Sequence, residues 1–439
     1  MQIRKSVIFL LLVAAVACNR ESTQRAQQKV TAVKNRVADA FDAEAPVERK
    51  AAPAPTPQEL EKQRFDEQWR QLQSFRAQQA AAAQQQANAQ VAAQQQQAAA
   101  QQQAAQQAAL NIQFVPAGKK RETFKGLDAN AINAAPVMVP IRGDVAGPSV
   151  LKTQVYLDRN DFSVGALDGR WGKNSAIAVW WYQRSHNLEA TGDVDEATYR
   201  LLAQGAGGVP ALVQRPLSDD DVKGPFVTIP DDVYEKEKLS CLCYETVKEK
   251  LAEQFHTTQD FLEQLNPNVE FSSLKAGDAI VVPNVREPLT TDRNDIAKVV
   301  VSIAGNTFNA FDAQGNLIFH APTTLGSKYD PSPNETTKVV SVTRNPHFHY
   351  QPTLFHEVPD TDPEAHLQPG PNSPVGVVWM ALSKPHFGIH GTSDPESIGY
   401  ASSHGCVRLA NWDALEVSHR ISQGVEVSFV DTRKASSSP

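Results

Sequence analysis

The stretch HGTSDPESIGYASSHGCVR, residues 390–408, carries a cysteine whose neighbours suit chemistry better than packing. A cysteine attacks as the thiolate, and at an unperturbed pKa of about 8.5 only a few per cent is ionised at neutral pH. Making Cys406 mostly thiolate takes a downward shift of roughly two units, a preference of about 2.7 kcal/mol for the charged form. Nearby histidines can supply it: His390 lies upstream and His404 two positions before the cysteine. Gly391 and Gly405 leave room for a substrate backbone to approach. The alternative is a buried apolar thiol among satisfied histidines. It fits poorly, because Ser-His-Gly-Cys followed by Val-Arg is a weak packing pattern for a strand interior.

The same residues resemble the active-site signature of the L,D-transpeptidases, the YkuD-type catalytic domain, in which a His-Gly pair is followed one loop later by Ser-His-Gly-Cys and a basic residue. His390-Gly391-Thr392, Ser403-His404-Gly405-Cys406 and Arg408 fall in place, and PGPNSPVG at 369–376 is similar to the family's NPLG-type turn. The resemblance implies an all-β, β-sandwich-like catalytic domain over 294–432 and a cysteine acyltransferase that uses no cofactor and no metal. Cys406 would attack the carbonyl between the third residue of a peptidoglycan stem peptide, a diamino acid, and its terminal D-alanine, forming a thioester. His390 would take the thiol proton and the Gly391 carbonyl would orient His390. The amides of Gly405 and Cys406, with His404 close by, would stabilise the oxyanion. Ser403 and Arg408 fall on the substrate side, Arg408 holding either a stem carboxylate or the loop itself. An amine acceptor would yield a crosslink or protein attachment; water would make the same residues an L,D-carboxypeptidase or endopeptidase.

The chain has 439 residues, 41% of them hydrophobic, enough for several domains with cores, and a net charge of −7 with no long basic run argues against nucleic acid as a partner. Arg4 and Lys5 precede an apolar run from Val7 to Ala17. It is shorter than the ~20 residues a bilayer-spanning helix needs and reads as a signal peptide, 1–17. Ala15-Val16-Ala17-Cys18 resembles a bacterial lipobox. That implies a lipid anchor on Cys18, and Asn19 after it is similar to the pattern of lipoproteins held in the outer membrane facing the periplasm, if the host has two membranes. A plain signal peptide cut near the same place is the alternative. Of the four cysteines, Cys241 and Cys243 are the pairing to consider, closing a very short loop and leaving Cys406 free.

Residues 18–57 are polar and proline-bearing, a tether. In 58–110, Leu60, Phe65, Trp69, Leu72 and Phe75 form one helical stripe, through which the 59–75 helix could self-associate. The Ala/Gln run behind it has helical preference but no large side chains to bury, so a long helix and a disordered spacer both remain open. Residues 111–145 read as a linker. Residues 146–206 resemble the peptidoglycan-binding type 1 domain, a small three-helix bundle: Leu167-Asp168-Gly169-Arg170-Trp171-Gly172 forms the turn before a helix, Ser175 caps it, and Gly192-Asp193-Val194-Asp195 leads to the last helix. Of Trp171, Trp180 and Trp181, at most one is expected to stack on sugar.

Residues 226–286 resemble a LysM domain in their later half, but the front half has Ser240-Cys241-Leu242-Cys243-Tyr244 where LysM has a Gly-Asp-Thr turn, so glycan binding and a packing role stand equal. From Ile296 the pattern is strands, with a hairpin turn at Gln314-Gly315-Asn316, and 433–439 is a tail. Two departures from the catalytic family stand out: no TPxG turn is legible at 333–337, and 347–368 is a long polar insertion beside the site, readable as a lid. Seven of the eleven histidines fall between His347 and His404, so His347 and His349 with His390 or Cys406 could instead ligate zinc in a metallopeptidase, although no helical i, i+4 spacing supports it. A wall-binding lipoprotein without catalysis is the third reading.

Overall fold

The computed structural model describes residues 57–430 apart from 118–121, 126–127 and 356. The stretch read as a signal peptide, Cys18 and nearly all of the stretch read as a tether lie outside them. The chain falls into two units divided after Gln90. Helix α1, Pro57–Leu110, includes the whole Ala/Gln run, so the helical alternative holds there: alanine and glutamine sustain a helix by local preference alone. Trp69 of the apolar stripe is 48% exposed; the side chains of Phe65, Leu72 and Phe75 are outside the described ones. In the second unit Arg200 donates to the terminal carbonyls of α1 at Ala109 (2.6 Å) and Leu110 (3.2 Å), placing a cation at the negative end of a helix.

The segment 111–145 is not a linker. Strand β1, Phe114–Pro116, pairs in parallel with β2, Val137–Val139. Between them α2, Ala129–Ala134, is capped by Asp128. Ile132, Val137 and Ile141 are buried in the core of the helices that follow. Scattered Pro, Gly and Ala hid this, because the few large apolar residues fill a core whose other wall lies elsewhere in the chain. Those helices are α3 (Pro148–Arg159), α4 (Lys173–Ser185) and α5 (Glu196–Gly205). Asp195 caps α5 through the Thr198 amide. Ser175 does not cap α4: the cap position is Gly172, and Ser175 is buried inside the helix, where its hydroxyl accepts from Gln154.

The next module starts earlier than its expected boundary. Strand β3, Leu212–Pro216, pairs antiparallel with β4, Ala279–Pro283, and between them lie α6 (Asp219–Val222), α7 (Val233–Glu237), α8 (Val247–Gln254) and α9 (Gln259–Leu265). Cys241 and Cys243 are bonded to each other, between α7 and α8. Residues from Ile132 to Val285 share one continuous hydrophobic core. Two bundles this small cannot each bury enough apolar surface to stand alone, and merging their cores removes the need.

The C-terminal domain is an eight-stranded mixed sheet in the order β13-β12-β11-β8-β14-β5-β6-β7. Its strands are β5 (Lys298–Ser302), β6 (Thr307–Phe311), β7 (Leu317–Pro322), β8 (Thr336–Arg344), β11 (Val378–Leu382), β12 (Gly388–His390), β13 (Val407–Arg408) and β14 (Glu426–Val430). The insertion contributes a separate pair, β9 (Phe348–Tyr350) with β10 (Ala365–Leu367). The domain is mostly β, as expected, but one helix that strand periodicity did not announce, α10 (Asn411–Arg420), packs on the sheet and lends Trp412, Ala414 and Val417 to the buried interior.

A buried charge cluster joins this domain to the helical core. Arg286 donates to Asp158 (2.5 Å) and to Asp413 (2.6 Å), His256 meets Asp158 at 2.9 Å, and Ser163 donates to Asp413 at 2.7 Å. Burial alone would raise the Asp158 carboxyl, but Arg286 and His256 hold it down at about 2. Removing the arginine would strand two buried carboxylates, at a cost of about 3–5 kcal/mol. Arg286→Ala should therefore lower the urea midpoint of the full chain markedly, whereas Lys238→Ala, which breaks an exposed pair with Glu235, should stay within about 0.5 kcal/mol of the wild type. Equal midpoints for the two variants would mean that the cluster does not hold the domains together.

Candidate active site

Two short strands bring the signature together. β12 and β13 pair in parallel at the sheet edge, Ile389 opposite Val407 and His390 opposite Arg408, so Cys406 stands just before β13 beside Gly388. The Cys406 thiol reaches the His386 carbonyl at 3.7 Å. Gly405 sits at φ +102°, where an added Cβ would lie 2.7 Å from the Phe387 ring, so only glycine fits before the thiol. Ser403 ties the loop: its hydroxyl donates to the Cys406 carbonyl (2.7 Å) and accepts from the Gly405 amide (3.2 Å). The Gly405 amide is thus engaged within the loop in this structure, and Ser403 is buried beneath it.

His390 is 4% exposed and lies flat against Trp379, its cross-strand partner on β11 (5.4 Å, 27°). Its Nδ1 is 2.7 Å from the Gly391 carbonyl. A carbonyl only accepts, so Nδ1 carries the proton and Nε2 is left as a base. Burial, and then the charge of Arg408, push the imidazole down to about 3, while burial pushes the Cys406 thiol up. The sequence expectation is a histidine-stabilised thiolate; here burial acts against the charged form of both groups. A neutral histidine lends no positive charge, and a desolvated thiol resists ionisation.

Cys406, His390, Ser403, His404 and Arg408 all line one cavity of about 1100 Å³. The 347–368 insertion supplies one wall through Phe348, Tyr350 and Phe355, and Val233 and Lys236 come from α7. β10 is itself packed on the disulfide segment, with Leu242, Ala365 and Leu367 forming a small buried cluster. His404 meets Glu357 of the insertion at 2.5 Å and Phe355 edge to face at 4.9 Å. The Nε of Arg408 is buried with no hydrogen-bond partner among the described residues. The zinc set foreseen from sequence is not what assembles: His349 pairs with Glu364 and stacks on His366. Among the described residues, the metal-ligating groups that do converge are Asp330, Glu357 and His404, within 4.8 Å of one another.

Sequence reasoning missed Trp379 and Asn411. Asn411 lies five positions past Cys406, and its Oδ1 accepts from the amides of Val377 (3.2 Å) and Thr392 (3.1 Å), fastening the 369–376 turn to the loop after His390. An added Cβ at Gly376 or Gly391 would run into that same oxygen, which explains both glycines.

His390, with Nε2 left as an acceptor, and Cys406 line the same cavity. Residues 297–428 match the family described as "L,D-transpeptidase catalytic domain", and residues 146–202 match "Putative peptidoglycan binding domain". The chain is 31% identical over 181 residues to "Putative L,D-transpeptidase YkuD" of Bacillus licheniformis, covering 41% of this chain and 92% of that protein. To the protein of the same name in Bacillus subtilis it is 28% identical over 179 residues, covering 41% and 90%. Among solved structures it is similar to L,D-transpeptidase 3 from Mycobacterium tuberculosis in complex with a faropenem-derived adduct, with 17% identity, 36% of this chain and 76% of that one covered, and a TM-score of 0.26. The chain belongs to the L,D-transpeptidase family and is an L,D-transpeptidase that carries a peptidoglycan-binding domain.

The neutral resting pair has a measurable signature. Alkylation of Cys406 by iodoacetamide in the full chain should accelerate about tenfold per pH unit from pH 7 to 9, because only the thiolate reacts and its fraction is still climbing. A rate that levels off below pH 7.5 would instead indicate a thiolate–imidazolium pair.

Proposed function

We propose that Cys406 is the nucleophile and His390 the base of a transpeptidation that joins peptidoglycan stems. The observation that carries this reading is the Nδ1 contact of His390 with the Gly391 carbonyl, which leaves Nε2 as acceptor in the cavity that Cys406 lines. The thiol proton passes to His390 Nε2 as sulfur bonds to the carbonyl carbon between the diamino acid and D-alanine. The tetrahedral intermediate collapses by breaking the C–N bond, and His390 returns the proton to the departing amine of D-alanine. An acceptor amine then attacks the thioester, gives its proton to His390, and releases the thiol. The Cys406 amide and His404 are the groups assigned to the oxyanion, with Gly405 shaping the loop. The unpartnered Nε of Arg408 suits a stem carboxylate.

The peptidoglycan-binding domain and the adjoining β3–β4 module would hold the wall near the site and raise its effective concentration. The lipobox-like Ala15 to Cys18 supports a lipid anchor at the cell envelope. Incubating the full chain with tetrapeptide-stem muropeptides should yield a dimer with loss of one D-alanine, detectable by mass spectrometry and absent with Cys406→Ala. Tripeptide monomer alone would make the enzyme a carboxypeptidase, and product formation by Cys406→Ala would remove the cysteine from the mechanism.

A further inference from the structure

We propose that Glu253, on α8 and outside the matched catalytic segment, is a positioning residue of the active site, acting through Asn411 on the loop that orients His390. The proposal rests on the His390 and Cys406 roles given above. Asn411 is 1% exposed, and its primary amide has two chemically different ends. Its Oδ1 faces two backbone N–H donors, of Val377 and Thr392, and its Nδ2 faces acceptors: both carboxylate oxygens of Glu253 (3.1 Å each) and the Pro371 carbonyl (3.2 Å).

An ionised carboxylate accepts and never donates, so Glu253 discriminates between the two orientations of that amide. Turned over, Asn411 would aim its oxygen at the carboxylate and its NH2 at two N–H groups, leaving every contact repulsive or unmade. In the observed orientation the oxygen anchors Thr392 and packs on Gly391, whose carbonyl holds His390 Nδ1 at 2.7 Å. The chain of contact is therefore Glu253, Asn411, the Gly391–Thr392 backbone and His390.

Glu253 is itself held. Tyr244 donates to it at 3.0 Å from the segment that follows Cys243. One turn earlier on the same helix Glu249 accepts from Asn372 at 2.7 Å, so α8 grips the 369–376 turn as well. No residue of this helix belongs to the segment that matches the catalytic family. The module between β3 and β4, on this view, completes the site it adjoins in addition to any part it plays at the wall.

The test compares full-chain wild type, Glu253→Ala and Glu253→Gln at pH 8, where the Glu253 carboxyl, pushed up to about 7 by burial, is ionised. Active sites are counted by Cys406 alkylation, and kcat and KM are measured for D-alanine release. Glu253→Ala should lose about 10- to 100-fold in kcat per titrated site with KM within about twofold, as misplacement of a catalytic group does. Glu253→Gln, which keeps one acceptor oxygen for Asn411 Nδ2 but adds an NH2 that can donate, should recover only part of that loss. An unchanged kcat per site in Glu253→Ala would overturn the proposal, as would equal losses in both variants tracking a lowered melting temperature. A wild type with no Cys406-dependent turnover would instead refute the assigned chemistry beneath it.

Discussion

The parallel pairing of β12 with β13 is the constraint on which the site depends. Each strand is only two or three residues long, yet their register puts Cys406 beside Gly388 and Arg408 beside His390 across a loop of sixteen residues. Parallel strands need a long crossover, and residues 391–406 supply one. Nothing in two such short strands is stable by itself. β12 is held by β11 through Trp379, and β13 by exchange of backbone hydrogen bonds between Arg408 and Thr324 (2.9 and 3.1 Å). β13 is thus paired on both sides, by β12 and by Thr324, and Arg408 reaches the cavity through its side chain.

The accessory modules do more than precede the catalytic domain in order. They share one core with each other, and Arg286 bridges them to the first turn of α10 through Asp158 and Asp413. That first turn also holds Asn411, so the residues that join the domains and the residue that braces the catalytic loop sit on one helix end. A buried salt bridge of this kind adds little stability over an apolar contact, but it has a single geometry in which all partners are satisfied.

What was legible in the sequence was what local chemistry dictates. The Ser-His-Gly-Cys loop, the turn at Asp168-Gly169, the lead into the last helix at Gly192 to Asp195 and the strand pattern from Ile296 each depend on neighbours a few residues away. The protonation state of Cys406 is not legible there, because it depends on burial, which no spacing of histidines reveals. Ser175 looked like a cap since serine favours that place, but its hydroxyl had a better partner in Gln154 across the core. Residues 111–145 looked like a linker because their partners are far along the chain. Glu253 carried no signal at all: it reads as one more acidic residue of a surface helix until Asn411 meets it from 158 positions away.

The central claim is that His390 rests as a neutral imidazole with its proton on Nδ1, locked by the Gly391 carbonyl. Nitrogen-15 NMR of the histidine side chains in the full chain, assigned by a His390→Gln variant, reads this directly. The account predicts one protonated and one unprotonated ring nitrogen for His390, unchanged from pH 5 to pH 8. A doubly protonated ring at neutral pH, or a proton on Nε2, would contradict it.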